Sequence, residues 1–339
     1  MNVLMTGAGA PGGPGIIKCL KENPNLNLTV CDIDEAASGR FLNNSFFIGK
    51  IASDPDFIDF MINRCLELKI NVLFPLVTRE LFNLAKNKHL FEQHGIKVIV
   101  SDYHFLNIAN DKGLLHKHLL ENKLPVSQFK IAKTIEDLDS ALINLGYPAK
   151  KICIKPTVSN GSRGVRIIDP EADEFNLLFN EKPNSLFISK EKLFQILENR
   201  VFPELLISEY LPGEEYTVDT LVDNGKLKIV VPRKRTKMSG GISVGGEIVE
   251  NLEIIDQVKQ ISDSMKLHGP IGYQFKKSET GEFRILEMNP RIQGTSVALM
   301  GAGVNLPLWA AEQELGIEKE IPVVKWGTKF VRYYNELYY

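Results

Sequence analysis

Four short apolar runs, at residues 3–6, 28–31, 72–75 and 97–100, alternate with helical patterns at 15–22, 56–68 and 81–94. Strands separated by helix-length segments do not close as hairpins. They pair in parallel, and the crossover helices cover both faces of one sheet. Gly7-Ala8-Gly9-Ala10-Pro11-Gly12 follows the first run and opens the first helix. Asp32 and Asp34 close the second strand, at the distance of about 20 residues that a Rossmann-like βαβ unit places between these features. A dinucleotide is one ligand for such a loop. Pro11 and Pro14 crowd the place where its pyrophosphate would lie, so a structural role, or a share in a second-substrate pocket, is the alternative.

The texture changes after Tyr103. A helical segment from Asp111-Lys112 to about residue 122 is broken by Leu124-Pro125-Val126. Strand-like runs follow at 152–155, 165–168, 205–210 and 216–222, with a polar helix at 190–200. Near the C-terminus, the β-prone run 271–275, the turn signal 278–281 and the run 283–289 predict a hairpin. Period-2 alternation then puts Glu287 and Asn289 on one face, Leu286 and Met288 on the other, and Gln274 beside Glu287. One carboxylate, two amide oxygens and the guanidinium of Arg291 suit Mg²⁺ carrying a polyphosphate, because this cation takes oxygen ligands and shares its shell with substrate phosphates. A half-buried edge strand with a solvated Glu287 fits the same residues.

The bulk properties restrict the function classes. The chain has 339 residues, 44% hydrophobic and 24% charged, with a formal net charge of -2, enough for two or three packed units. Lysine and arginine are interspersed with acidic residues, so there is no basic field for nucleic acid and no polybasic membrane patch. Small-molecule chemistry is the expectation. Cys19, Cys31, Cys65 and Cys153 are scattered without a C-x-x-C pair, as in a reducing cytoplasm. The start has no basic leader and no apolar run spans a membrane, so a soluble cytoplasmic protein is expected.

Three further segments carry chemistry. Lys155 ends a strand and precedes a loop of small residues, 157–164, in which Gly161, Ser162 and Gly164 leave room for phosphate oxygens beside backbone N–H groups. A plain surface hairpin is the alternative. Ser208-Glu209-Tyr210-Leu211-Pro212-Gly213-Glu214-Glu215 reads as strand, turn, strand. Glu209 and backbone groups there can meet an adenine edge and Glu215 ribose hydroxyls, or the segment is an acidic turn. Arg233 and Arg235 precede a Gly/Ser stretch, 239–246, that would clamp and cover a carboxylate; solvated cations beside an exposed loop are the alternative. His116 and His118, at i and i+2, do not share a helix face and are expected at the surface. Trp309 and Trp326 read as core or interface aromatics.

The order of Lys112, Lys155 with its glycine loop, the 209–215 hinge, then Gln274, Glu287, Asn289 and Arg291 resembles the ATP-grasp superfamily. The resemblance is closest to the ATP-binding halves of the carbamoyl phosphate synthase large subunit, with a comparable Q-F … E-M-N-P-R pattern. It implies an α/β chain: a Rossmann-like pre-ATP-grasp domain at 1–104, then a two-subdomain (α+β) ATP-grasp fold at 105–330 with a lid at about 125–210, and a tail at 331–339. It implies that Lys112, Lys155, Gly161, Ser162 and Gly164 attend ATP phosphates. Glu209, Tyr210, Leu211 and Leu286 would surround the adenine and Glu215 the ribose. Gln274, Glu287 and Asn289 would ligate Mg²⁺, with Mn²⁺ a substitute, while Arg291, Lys155 and Arg235 serve the reacting groups.

The implied activity is carboxylate–amine or carboxylate–thiol ligation through an acyl phosphate, with small-molecule partners and room for a homodimer. A kinase-like relative, an NAD(P)-dependent oxidoreductase and a nucleotide sensor are the other readings. The departures are a single grasp unit, no glutaminase segment and no allosteric region. Pro75-Leu76-Val77-Thr78-Arg79-Glu80 also matches the family's acidic turn only loosely.

Overall fold

The computed structural model describes residues 1–159, 161, 163–182, 185–318 and 320–339, whose strands form three sheets. β1 (Asn2–Met5), β2 (Asn27–Asp32), β3 (Phe46–Ile48), β4 (Val72–Phe74) and β5 (Lys97–Val98) make a parallel sheet in the order β3-β2-β1-β4-β5. β3 is an edge strand of three residues, too short to stand out as an apolar run. The helix expected over 81–94 is two helices, Thr78–Lys86 and Lys88–Gln93, parted at Asn87. β1 pairs with both β2 and β4, so the strand order reverses there. In open α/β sheets the crevice outside the strand ends at such a point is where ligands sit. Gly7, at φ +65°, turns the chain off β1, and the helix Gly13–Lys21 starts at once with Pro14 in its first turn.

The second sheet is mixed and mostly antiparallel: β6 (Phe129–Ala132), β7 (Ile152–Pro156), β8 (Arg166–Ile168), β9 (Phe187–Ile188) and β10 (Leu205–Glu209), in the order β6-β10-β7-β8-β9. The third is antiparallel: β11 (Glu215–Asp223), β12 (Lys226–Ser239), β13 (Ile242–Ile248), β14 (Gly269–Lys277), β15 (Phe283–Asn289) and β16 (Lys329–Val331), in the order β15-β14-β11-β12-β13-β16.

Two packing facts set the site's position. Val3, Met5, Val72 and Phe74 of the parallel sheet share one core with Leu221, Ile229 and Val231 of the third sheet and with Ile292 and Leu299. Trp309 and Trp326 pack against it, partly buried. The second sheet has a core of its own, built from Ala132, Leu142, Ile152, Ile154, Ile188 and Leu205 among others. It is joined to the third sheet through residues 210–214, where Gly213 lies so close to Lys277 that an added Cβ would sit 2.7 Å from the Lys277 Cβ. Among the described residues no helix is long and apolar enough to cross a membrane.

The histidine expectation needs correction. His116 is 1% exposed, its Nδ1 2.7 Å from the Lys112 carbonyl one helical turn back and its ring edge-on to Phe129. Burial, with Lys155 and Lys112 nearby, pushes its pKa down to about 3. Failing to share a face with His118 left His116 free to point inward.

The parallel and third sheets meet glycine against glycine: a Cβ on Gly12 would lie 2.3 Å from the Gly294 Cα. Backbone cannot retreat as a flexible side chain can. Gly12→Ala should therefore lower the unfolding free energy by about 1–3 kcal/mol in denaturant titration. Gly49→Ala, whose Cβ meets nothing nearer than 3.7 Å, should stay within about 0.5 kcal/mol of the parent.

Candidate functional site

A cleft of about 1130 Å³ lies where the three sheets converge. Lys155, Gly161, Glu209, Tyr210, Leu211, Glu215, Arg235, Gln274, Leu286, Glu287, Asn289 and Arg291 all line it. These residues are far apart in the chain, and the hairpin and the hinge bring them together.

The β14–β15 hairpin supplies the polar end. Gln274 stands opposite Glu287 in register, and the next aligned pair is Phe275 with Ile285, so Leu286 is the extra residue of a bulge. That bulge corrects the strict alternation: Leu286 does not share the buried side of Met288 but lines the cleft beside Glu287. A bulge inserts one unpaired residue and re-aims its neighbours. The displaced Leu286 carbonyl accepts a hydrogen bond from Lys155 Nζ at 2.8 Å. Lys155 is 6% exposed, and burial pulls its pKa below the usual lysine value while Cys153 and Glu287 oppose the shift.

Lys112 and Gly164 sit differently from the expectation. Asp111 caps the helix Lys112–Glu121, and the Lys112 side chain turns beneath the cleft. Its Nζ donates to the Ser159 carbonyl at 3.0 Å and lies 3.4 Å from Glu287 Oε2. It supports Glu287 from behind and is not part of the lining. Gly164, at φ +76°, has no space for a side chain because Pro156 lies 2.7 Å from the Cβ position; its role in this structure is packing of the loop onto β7. Ser162 lies outside the described residues.

At the hinge, Glu209 accepts from the Gln128 backbone N–H at 3.2 Å, Lys276 Nζ lies 5.4 Å from the centre of the Tyr210 ring, and Leu211 is buried. Glu215 pairs with Arg235 across β11 and β12, while Arg235 Nη2 donates to the Gly241 carbonyl at 2.6 Å. Arg235 Nε is buried without a partner among the described residues. Both Arg235 and Glu215 thus face the cleft, each neutralising the other.

The other end of the cleft belongs to the parallel sheet's crevice and the segment after β15. Ala10, Pro11, Gly12 and Leu76 line it together with Gln293, Thr295 and Arg332. Arg291 Nε donates to Thr78 Oγ1 at 3.0 Å, tying the segment to the start of the helix Thr78–Lys86. Arg233 is not a cleft residue. It is 1% exposed, pairs with Asp219 at 2.6 Å and donates to Thr295 Oγ1 at 2.9 Å. Asp219 also accepts from Ser296 Oγ at 2.5 Å, and Gln293 Nε2 donates to the Val218 carbonyl at 3.0 Å. Lys276, two residues from Gln274 on one strand face, was findable by alternation. Arg332 had no motif to announce it.

Among the described residues no three His, Cys, Asp or Glu side chains gather as a metal cluster. Glu287 with the amides of Gln274 and Asn289 is a set that fits a hard cation holding water and phosphate for its remaining ligands. A parallel crevice sheet, a separately cored second sheet and an antiparallel third sheet around this set make the chain an α/β protein with its site between sheets.

The comparisons carry that class further. The family described as "ATP-grasp in the biosynthetic pathway with Ter operon" matches residues 201–336, and the "PylC-like, N-terminal domain" family matches residues 3–99. An ATP-grasp family model thus matches the part of the chain that holds the third sheet. The large chain of carbamoyl phosphate synthase from Pseudothermotoga lettingae is 21% identical over 221 residues, 64% of this chain and 19% of that protein. The chain therefore spans about a fifth of that relative's length. An N5-carboxyaminoimidazole ribonucleotide synthetase solved with ADP superposes with a TM-score of 0.73 at 13% identity, covering 97% of this chain and 79% of the other. The biotin carboxylase domain of a 2-oxoglutarate carboxylase from Hydrogenobacter thermophilus, solved with MgADP and bicarbonate, gives 0.69 at 17% identity, covering 97% and 73%.

Beneath the crevice, Thr6 Oγ1 donates to Glu80 Oε2 at 2.5 Å. Burial pushes the Glu80 pKa up to about 7 from 4.5, although the Thr6 hydrogen bond opposes the shift. A raised folded-state pKa means stability that is full below the unfolded value and is lost as pH rises through the folded one. Glu80→Gln should remove this loss. Its unfolding free energy relative to the parent should climb between pH 4.5 and 7, by at most on the order of 3 kcal/mol. A pH-independent difference in denaturant titrations would contradict the buried neutral carboxyl.

Proposed function

We propose that the protein is an ATP-dependent carboxylate–amine ligase. The observation that carries this reading is the register pairing of Gln274 with Glu287 beside Lys155, Asn289 and Arg291 in one cleft. The structural neighbours add support, because they include an N5-carboxyaminoimidazole ribonucleotide synthetase and an L-amino acid ligase.

In this reading the nucleotide enters between the second and third sheets, its adenine against Tyr210 and Leu211 and its ribose at Glu215. Glu287, Asn289 and Gln274 would hold Mg²⁺, which offsets the charge of the β- and γ-phosphates. Lys155, dry and held by the Leu286 carbonyl, presents a fixed cation to the phosphates. Ribose hydroxyls at Glu215 compete with Arg235, whose guanidinium is then available to the reacting groups. A carboxylate oxygen of the acid attacks the γ-phosphorus, the bond to the bridging oxygen breaks, and ADP leaves. The amine nitrogen then attacks the acyl carbon, phosphate departs, and the nitrogen's surplus proton passes to solvent or phosphate. The protein's part is positioning and charge neutralisation, and the second sheet acts as the lid that keeps water from the acyl phosphate. Cytoplasmic ATP and a reducing milieu suit a chain with four free cysteines.

The test is ADP release from Mg-ATP with acids and amines offered in pairs. Release should require both, and Glu287→Ala, Asn289→Ala and Lys155→Met should each reduce it by about 100-fold or more. Full turnover in the Glu287 and Asn289 variants would refute the assignment, and a stable phosphorylated acid without amide would make the protein a kinase.

A further inference from the structure

The charge distribution along the cleft is lopsided. Glu209, Glu215 and Glu287 lie toward the hinge and the hairpin, and each is engaged, by the Gln128 N–H, Arg235 and Lys112 respectively. Arg291 and Arg332 line the same cleft, where Pro11, Leu76 and Ile292 give apolar walls; Glu287 is the lining carboxylate whose charge acts on Arg291, and Arg332 has no carboxylate among its described hydrogen-bond partners. Arg332 is fastened in place from two sides. Its backbone N–H donates to the Val244 carbonyl at 2.8 Å, continuing the β13–β16 edge, and its Nη2 lies 3.3 Å from the Pro11 carbonyl. Arg291 is held by Thr78 Oγ1 and the Ile292 carbonyl. Each guanidinium offers five donors, and the hydrogen bonds described here use few of them.

We infer that the acid substrate is dianionic: one carboxylate meets Arg291, where phosphorylation takes place, and a second anionic group meets Arg332, with a short apolar spacer against Leu76 and Ile292. Arg332 is then a specificity-determining residue contributed by the C-terminal edge strand to a pocket roofed by the N-terminal glycine loop. Guanidinium suits this task because its planar fork pairs two donors with one carboxylate. This inference rests on the ligase reading and names the substrate class for it.

The experiment uses the full chain with Mg-ATP and hydroxylamine as the nucleophile, and reads acyl hydroxamate and ADP. Succinate, glutarate and adipate are compared with butyrate, valerate and hexanoate. At least one diacid should show a KM about 10–100-fold below that of its monoacid counterpart, the discrimination expected of one charge-assisted contact. Arg332→Gln should collapse that ratio toward 1, mainly through KM, and Arg332→Lys should recover part of it. Unchanged melting temperatures separate this from misfolding. Equal KM values for diacids and monoacids, or a ratio that survives in Arg332→Gln, would overturn the dianion inference and leave the ligase reading standing. No hydroxamate and no ADP with any acid would remove both.

Discussion

The buried pair Asp219–Arg233 is the interaction on which the rest depends. Two charges, 2% and 1% exposed, sit on adjacent strands of the third sheet, where desolvation is expensive and only close pairing offsets it. Their other side-chain hydrogen bonds go to one segment, while Arg233 Nη1 is buried with no partner among the described residues. Asp219 accepts from Ser296, and Arg233 donates to Thr295. Chain that has just left Asn289 is thereby held down at Thr295 and Ser296, with Gln293 pinned to the Val218 carbonyl between. The direction of Arg291, and the seat of Gly294 against Gly12, follow from that anchorage. Losing one member of such a pair typically costs about 3–5 kcal/mol, since the survivor stays buried and unmatched.

The cleft's own charges show a complementary economy. Glu287 is near Lys112, and Glu215 is bound to Arg235, so these carboxylates and cations stand mutually compensated. Side chains held by partners keep their geometry and lose little further freedom when a ligand replaces the partner. The β14–β15 bulge adds a carbonyl that steadies Lys155. The hairpin end of the cleft is therefore held in place by its own contacts.

Much of this was legible in the residues themselves. The parallel sheet followed from apolar runs spaced by helices, and the pairing of Gln274 with Glu287 from a turn signal between two β-prone runs. What escaped has a physical reason in each case. The bulge at Leu286 is a backbone event without a residue signature, so alternation failed by one position. Lys112 and Lys155 look alike in sequence, and only the Asp111 cap and the contact with Ser159 put the first behind Glu287. His116 was misplaced because helix-face logic compared it with His118 and not with Phe129, a residue of another element. Arg332 enters the cleft through β16, whose partner β13 lies some eighty residues upstream in the chain, a relation that only tertiary pairing creates.

The second sheet's separate core has a kinetic consequence. Its apolar residues form a cluster of their own, apart from the one that the other two sheets share, and it meets the body through contacts such as Phe129 on His116. A unit of this kind is a natural foldon, able to open or melt while its neighbours stay intact. Amides of β6 to β10 would then exchange with solvent through local openings of lower free energy than those of β1, β4 and β11. Any ligand that bridges the 210–214 junction would draw the two exchange regimes together, so that the protein becomes one cooperative body only when the cleft is filled.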